Sequence, residues 1–149
     1  MTPLIVIIIL SLDQFSKFLA TKNLLLNHPI PVIKGILYLT LVQNRGAAFG
    51  ILKGHFLFFI SIALFVLVLI FLNFKNNRHK QSPLYIVSLS LIFAGGMGNL
   101  IDRLFFGYVI DFIDFRIWPV FNIADSAITI GAFILGWAIL FTKDASRNL

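Results

Sequence analysis

The stretch from His55 to Phe74 runs for twenty residues without a formally charged side chain, and Leu, Ile, Val or Phe occupies most of its positions. A bilayer core about 30 Å thick requires roughly 20 apolar residues in a helix, so this stretch predicts a transmembrane helix. The whole chain is 59% hydrophobic and 12% charged, with a mean hydropathy of +0.96, which lies outside the range of soluble domains. We therefore expect an integral membrane protein.

Three further segments have the length and composition of membrane spans. Leu84 to Ile101 is uncharged, the first span contains Asp13 and Lys17, and the last contains Asp125. The pattern predicts an all-α polytopic membrane protein with four transmembrane helices in one integral membrane domain, residues 1–149. The predicted helices are approximately 3–21, 55–74, 84–103 and 121–142, with outer loops at 22–54 and 104–120 and an inner loop at 75–83.

The orientation does not follow from the number of positive charges, since the side that holds both termini has five and the opposite side has six. The dense segment KNNRHK, residues 75–80, favours a cytoplasmic inner loop, and with it two cytoplasmic termini. If KNNRHK instead contacts anionic headgroups, the same side is required. In the outer loops, GILYLTLVQN (residues 35–44) predicts one or two short strands on the membrane surface, and the aromatic segment 104–119 predicts an interfacial loop or short helix.

Several chemistries lack the residues they need. The chain has no cysteine, which excludes disulfides, thiol nucleophiles and cysteine metal sites. Its three histidines lack the H-E-x-x-H spacing, and there is neither a phosphate-binding loop nor a G-x-S-x-G elbow. We therefore expect no metal and no cofactor. A Ser/Lys pair that uses Ser16 or Ser126 with Lys17 is a minor alternative, because adjacent Ser16 and Lys17 point to different helix faces.

The polar residues fall into five clusters, namely DQFSK (13–17), NRGAAFG (44–50), GGMGNLIDR (95–103), VIDFIDF (109–115) and FNIAD (121–125). An ionisable group at membrane depth is costly and by default marks a functional site. If the four helices converge, the clusters meet in one shallow polar site near the outer leaflet. The candidate residues of this site are Asp13, Asn44, Asn99, Asp102, Arg103, Asp111, Asn122 and Asp125.

Each cluster also has a structural interpretation. Asp13 and Lys17 are four residues apart and can neutralise each other, and the paired Asn and Asp residues can hydrogen-bond between helices. The glycines of GGMGN, with Ala127 and Gly131, have the small-residue spacing that is typical of close helix packing. Against a purely structural role, the chain places five of its six carboxylates on one side of the membrane.

Paired aspartates are the chemistry that remains. Two carboxylates held close together cannot both ionise, so one keeps a proton while the other, as a base, activates water against a peptide carbonyl. The protonated partner can then stabilise the oxyanion and protonate the leaving amine. The clusters therefore favour an aspartic hydrolase, without deciding by themselves which aspartates form the pair.

The motifs D-Q-x-S-K, N-x-G-A-A-F-G, G-G-x-x-G-N-x-x-D-R, V-x-D-F and F-N-x-A-D occur here in the order found in bacterial lipoprotein signal peptidase, also called signal peptidase II. The resemblance covers Asp13 to Asp125. It implies an intramembrane aspartic endopeptidase of the bacterial inner membrane, with four transmembrane helices and a small extracytoplasmic β-cradle. Such enzymes cut diacylglyceryl-modified prolipoproteins just before the lipidated cysteine. Further implied partners are membrane lipids and globomycin-type inhibitors, with no nucleic acid, and we expect a monomer.

By the same resemblance, Asp111 and Asp125 are the catalytic dyad. The residues implied to bind substrate or to support the site are Asp13, Lys17, Asn44, Gly46, Asn99, Asp102, Arg103 and Asn122. Asp114 also lies in VIDFIDF, but residues three apart on an extended strand face opposite sides. We therefore predict a surface carboxylate at Asp114, paired with Arg116, and a mild effect of Asp114→Asn. If the stretch is helical, Asp111 and Asp114 share a face instead.

Three other functions compete with this interpretation. A small proton- or ion-coupled transporter also uses intramembrane Asp and Arg, although its carboxylates are expected near the midplane and its halves are usually repeated. An aspartic protease of the prepilin or presenilin type has a G-x-G-D signature, where this chain has GMGN at residues 96–99. A membrane scaffold without catalysis is disfavoured because charges in lipid are costly.

Overall fold

A computed structural model describes residues 2–46, 56–76 and 82–141. Some expectations concern residues outside this description. They are those for Lys53, His55, residues 47–50 of NRGAAFG, residues 77–80 of KNNRHK and the basic residues after position 141. The described elements are α1 (Pro3–Asn23), β1 (Ile30–Ile33), β2 (Leu37–Asn44), α2 (Phe56–Asn76), α3 (Pro83–Phe106), β3 (Val109–Asp114) and α4 (Ile123–Phe141).

The helices have the apolar character that the composition predicts. Three of those described, α1, α3 and α4, are long and apolar enough to cross a membrane, and in α2 the described apolar stretch is Ile60–Asn73. Helix α3 begins where the hydroxyl of Ser82 accepts a hydrogen bond from the Tyr85 amide, with Pro83 in its first turn. It ends at Gly107, whose φ of 79° is left-handed. The protein is thus mostly helical with a small sheet, as expected.

Small residues allow α3 and α4 to pack closely, and α3 also contacts α1 and α2. A Cβ on Gly95 would collide with the carbonyl oxygen of Ala124. A Cβ on Gly131 would lie 2.8 Å from the carbonyl oxygen of Ser88. The expectation that these glycines serve close helix packing is confirmed, and this packing brings the start of α4 beside the middle of α3.

The strands form one antiparallel sheet in the order β1, β2, β3. Strand β3 is the strand that packs against the helices, since it contacts α1 and α3. Its residues Val109, Ile110 and Phe112 are all buried. Ile110 and Phe112 pack with Ala20 of α1 and with Leu41 of β2. The sheet therefore covers one end of the helices and carries Asp111 against them.

Two expectations for the segment after α3 require correction. The segment predicted as an interfacial loop or short helix contains a strand, β3, which pairs antiparallel with β2 and packs Ile110 and Phe112 against Ala20 of α1. Asp114 is not a surface carboxylate, since it is only 5% exposed. The prediction of a pair with Arg116 is correct, at 3.3 Å, but the second face of β3 is also covered, and Thr40 Oγ1 of β2 donates to Asp114 Oδ2 at 2.7 Å.

Candidate active site

Asp111 is held at the inner edge of β3 by two asparagines. Its Oδ2 accepts a hydrogen bond from Asn44 Nδ2 at 2.9 Å, and its Oδ1 accepts one from Asn122 Nδ2 at 2.7 Å. Asn44 ends the neighbouring strand β2, where its own Oδ1 accepts from the Gly46 amide at 3.0 Å. Asp111 is 1% exposed, so its position is set by these amides and by the pairing of the strands.

Asp125 lies in the first turn of α4. Its Oδ1 accepts from Asn99 Nδ2 of α3 at 2.7 Å, and its backbone amide donates to Asn122 Oδ1 at 2.8 Å. The second contact is the hydrogen bond of an asparagine that caps a helix from the position just before it. Asn122 therefore caps α4 through its side-chain oxygen and binds Asp111 through its side-chain nitrogen. These two contacts place the carboxylates of Asp111 and Asp125 at one site.

The two asparagines are also joined to each other. Asn122 Nδ2 lies 3.1 Å from Asn99 Oδ1, and the same oxygen accepts from Lys17 Nζ at 3.1 Å. Amides suit this position because each offers a donor and an acceptor, so a single side chain can connect groups of different kinds. The result is a continuous hydrogen-bonded path from Asp111 through Asn122 and Asn99 to Asp125.

Beneath this path lies an ion cluster of Asp13, Lys17 and Asp102. Lys17 Nζ lies 2.8 Å from Asp13 Oδ2 and 2.8 Å from Asp102 Oδ2, and none of the three side chains is more than 2% exposed. Gln14 Nε2 also donates to Asp102 Oδ1 at 3.1 Å and to Asp13 Oδ2 at 3.2 Å. Buried charges persist where they are paired and hydrogen-bonded, and here each carboxylate has both kinds of partner.

The ion cluster holds the backbone immediately before each of the two aspartates. Asp102 Oδ2 accepts a hydrogen bond from the Ile110 amide at 3.0 Å, one residue before Asp111. Asp13 Oδ1 accepts one from the Ala124 amide at 2.8 Å, one residue before Asp125. Because Lys17 binds both carboxylates, a single ammonium group connects the two backbone segments that carry the dyad candidates.

A cavity of about 600 Å³ opens above the two aspartates. Its wall includes Asn44, Arg103 and Trp118 together with Asp111 and Asp125. A second cavity, of about 300 Å³, shares Asn99, Arg103, Asp125 and Ile128 with the first. It continues between α2, α3 and α4 along Ile62, Ala63, Val66, Leu67, Ile92 and Gly96. The polar site is therefore continuous with an apolar groove between the helices.

The electrostatics of Asp111 favour one retained proton. Burial and the nearby charge of Asp125 raise the pKa of Asp111 to about 7, against the hydrogen bonds from Asn44 and Asn122, which lower it. At Asp114, by contrast, hydrogen bonds from Thr40 and Arg116 outweigh burial and hold the pKa below its ordinary value. The pKa values of the two aspartates of VIDFIDF are therefore shifted in opposite directions.

The structure brings together every site residue that the sequence predicts, but in two layers. Those that line the larger cavity are Asn44, Gly46, Asn99, Arg103, Asp111 and Asp125, and those beneath it are Asp13, Lys17, Asp102 and Asn122. Among the described residues, no group of three or more histidine, cysteine or acidic side chains fits a metal ion. Lys17 binds carboxylates, which disfavours the alternative of a Ser/Lys pair.

Gln14 and Trp118 were not predicted as site residues. Gln14 was detectable, because it lies three residues before Lys17 and so shares its helix face. Trp118 lines the larger cavity from the segment after β3. The spacing of the motifs contains no signal for this position, since it depends on how that segment folds back over the site.

Comparisons with known proteins agree on one family. The model of a family described as signal peptidase (SPase) II matches residues 5–141. A lipoprotein signal peptidase of Halothermothrix orenii is 48% identical, with 91% of this chain and 92% of the relative covered. One of Caldanaerobacter subterraneus subsp. tengcongensis is 49% identical, with 95% and 97% covered.

Solved structures give the same result for the fold. One, described as a bacterial membrane enzyme determined by the in meso method at 2.3 Å resolution, has a TM-score of 0.85 and 36% identity. It matches 98% of this chain and 90% of its own. Another, determined by the same method at 1.9 Å resolution, has a TM-score of 0.83 and 37% identity and matches 93% and 91% of the two chains.

Proposed function

Because the chain belongs to the signal peptidase II family, it is a bacterial membrane protease that removes signal peptides from prolipoproteins, and we propose that Asp111 and Asp125 are its catalytic dyad. The observation that supports this assignment is the shared network, in which Asn122 contacts Asp111 with its side-chain nitrogen and the Asp125 amide with its oxygen. Both carboxylates line the same cavity. We propose that the hydrolytic water and the scissile carbonyl occupy this cavity, in contact with both carboxylates.

In the proposed mechanism, one carboxylate is ionised and the other is protonated. The ionised group removes a proton from water, the resulting hydroxyl attacks the carbonyl carbon of the scissile peptide, and the protonated group hydrogen-bonds the developing oxyanion. The protonated group then gives its proton to the leaving amine as the carbon–nitrogen bond breaks, and the proton taken from water stays on the other carboxylate. The burial that raises the pKa of Asp111 to about 7 supports a dyad with one proton near neutral pH.

The remaining site residues act on the dyad or on the substrate. We propose that Asn44, Asn99 and Asn122 orient the two carboxylates, and that Arg103 and Gly46, which line the cavity, bind substrate. Asp13, Lys17 and Asp102 support the site from below through the amides of Ala124 and Ile110. None of the last three lines the larger cavity, so their effect on the dyad is indirect.

The proposed membrane arrangement has four transmembrane helices, with α2 as the fourth, in the bacterial inner membrane. Both termini are cytoplasmic, and the sheet and the dyad lie toward the outer leaflet. A diacylglyceryl-modified prolipoprotein then enters sideways, its acyl chains remaining in lipid, and is cut just before the lipidated cysteine. The apolar groove between α2, α3 and α4 supports such an entry path. Globomycin-type inhibitors occupy the same cavity, and a monomer contains the whole site.

A transporter that uses intramembrane Asp and Arg is the second function for comparison. The experiment that separates the two is incubation of the purified protein with a diacylglyceryl-modified precursor and with the same precursor without lipid. The proposal expects cleavage of the lipidated form just before its modified cysteine and much slower cleavage of the other. Cleavage of neither form by folded protein would contradict it.

A further inference from the structure

The segments predicted as outer loops carry more positive than negative charge. The loops at 22–54 and 104–120 contain five lysines and arginines but only two acidic residues, Asp111 and Asp114. Both acidic residues are buried, and Asp111 belongs to the proposed dyad. Cations on this side also explain why counting positive charges left the orientation undecided. Among these cations, Lys34 lies in the turn between β1 and β2, and Arg116 follows β3.

Arg116 contacts Tyr38 directly, and Lys34 precedes the glycine whose amide donates to the Tyr38 hydroxyl. Lys34 is exposed in the turn between β1 and β2, and the hydroxyl of Tyr38 accepts a hydrogen bond from the amide of the next residue, Gly35, at 3.1 Å. The Arg116 guanidinium lies over the Tyr38 ring, 5.0 Å from its centroid. We call Lys34, Tyr38 and Arg116 the basic tip.

The backbone at Arg116 is held in an unfavourable conformation by specific contacts. Its φ of 68° is in the left-handed region, which non-glycine residues rarely adopt. Asp114 Oδ1 accepts from the Arg116 amide at 2.8 Å, and Asp114 Oδ2 accepts from Arg116 Nη1 at 3.3 Å. The Arg116 side chain is nevertheless 51% exposed. The guanidinium is thus fixed in orientation and accessible to a ligand. Strained backbone conformations often occur at functional sites for this purpose.

Apolar side chains surround the basic tip. Ile33 and Ile36 in the neighbouring turn are 52% and 58% exposed, and Ile117 and Trp118 after Arg116 are 94% and 62% exposed. Exposed aliphatic and tryptophan side chains beside lysine and arginine are typical of a surface at the level of lipid headgroups. A phosphate group there would meet a guanidinium whose planar donors suit its oxygens.

We propose that the basic tip binds the phosphate of an anionic phospholipid, with Ile33, Ile36, Ile117 and Trp118 in contact with the bilayer surface. Arg116 is the main ligand, oriented by Asp114 and Tyr38, and Lys34 adds a second positive charge. This binding places the sheet on the membrane and fixes the height of Asp111 relative to the lipid. Lys34, Tyr38 and Arg116 do not line the dyad cavity, so lipid binding by the basic tip holds or fails independently of the proteolytic function.

The test measures which lipid lies next to Trp118. The chain has two tryptophans, so Trp137→Phe leaves Trp118 as the only one. This protein is reconstituted in phosphatidylcholine vesicles that contain phosphatidylglycerol, with bromine on one lipid or the other, and the quenching of tryptophan fluorescence is compared. We expect quenching to show enrichment of phosphatidylglycerol by about fivefold per cation, falling with added salt.

The variants Lys34→Gln and Arg116→Gly together should abolish the preference for phosphatidylglycerol, and glycine at 116 accepts the positive φ. Arg116→Lys should retain part of it. The matched control is Lys75→Gln together with Lys80→Gln, an equal loss of two charges in the predicted inner loop, with no effect expected. Cleavage in detergent reports that each variant is folded.

Equal quenching by both brominated lipids in the parent protein would overturn the proposal. An unchanged preference in the double variant would also overturn it. If the tip instead binds an acidic segment of the precursor protein, the double variant would raise KM in pure phosphatidylcholine while the parent shows no lipid preference, and that result likewise excludes lipid binding.

Discussion

Lys17 is the residue whose replacement tests the buried part of the site most sharply. Its side chain is 1% exposed, and its ammonium group lies 2.8 Å from a carboxylate oxygen of Asp13 and 2.8 Å from one of Asp102. Lys17→Met keeps a side chain of similar length but leaves two buried carboxylates without their cation. Removing one partner of a buried ion pair costs about 3–5 kcal/mol, so we expect the free energy of unfolding to fall by that amount.

The same change should reduce activity through the backbone. Asp13 and Asp102 accept hydrogen bonds from the Ala124 and Ile110 amides, next to the two dyad aspartates. When Lys17 is lost, the carboxylates repel each other and these amides lose their fixed positions. A displacement of about 1 Å at a reacting group can cost roughly 100-fold in rate, so we expect kcat for cleavage to fall by about that factor.

The assay is unfolding in mixed detergent micelles, together with cleavage of a lipidated precursor. Lys22→Met is the matched control, since Lys22 is exposed on the same helix, and its effect should stay within about 0.5 kcal/mol. Lys17→Met combined with Asp13→Asn restores the charge balance and should be less destabilised than the two single changes added together. Unchanged stability and kcat in Lys17→Met would refute the role of the ion cluster.

Three further results are expected. In a profile of kcat against pH, cleavage should decline as the pH rises above about 7, because Asp111 then loses its proton and the dyad has no acid; a rate that keeps rising would contradict this. Gly95→Ala places a Cβ against the Ala124 carbonyl oxygen and should lower the free energy of unfolding by about 1–3 kcal/mol, whereas Gly136→Ala, with nothing within 4 Å, should not destabilise. Asp114→Ala should lower the free energy of unfolding by about 1.5–3 kcal/mol, since it removes an acceptor of charge-assisted hydrogen bonds. An unchanged midpoint of chemical denaturation would argue against the burial of Asp114.

The membrane character and the site residues could be predicted because both depend on local sequence. Apolar length predicts spans, and rare polar residues in lipid mark a site. The asparagines of G-N-x-x-D-R and F-N-x-A-D each lie three residues before an acidic residue. This spacing places Asn99 and Asp102 on neighbouring turns of α3 and puts Asn122 at the cap of the helix that carries Asp125. Asn99 and Asn122 were accordingly predicted, although their contact with each other depends on the close packing of α3 and α4.

The division of the site into two layers could not be predicted from the motifs. Asp102 and Arg103 are neighbours in sequence, yet Asp102 is fully buried beneath β3 and Arg103 lines the cavity. Asp114 shows the same limitation. Strand alternation separates it correctly from Asp111, but burial of the second face depends on Thr40 of a different strand. Contacts between elements distant in the chain decide such cases, and a local pattern does not contain them.

The most direct test of the dyad is the rate of cleavage of a diacylglyceryl-modified precursor by Asp111→Asn and by Asp125→Asn, each compared with Asp114→Asn. Asparagine keeps the shape of aspartate but removes the ionisable proton, so each dyad variant should lose at least about 100-fold in kcat while remaining folded in detergent. Asp114→Asn lies in the same strand as Asp111 and should retain cleavage. Near-normal turnover by either Asp111→Asn or Asp125→Asn would contradict the dyad.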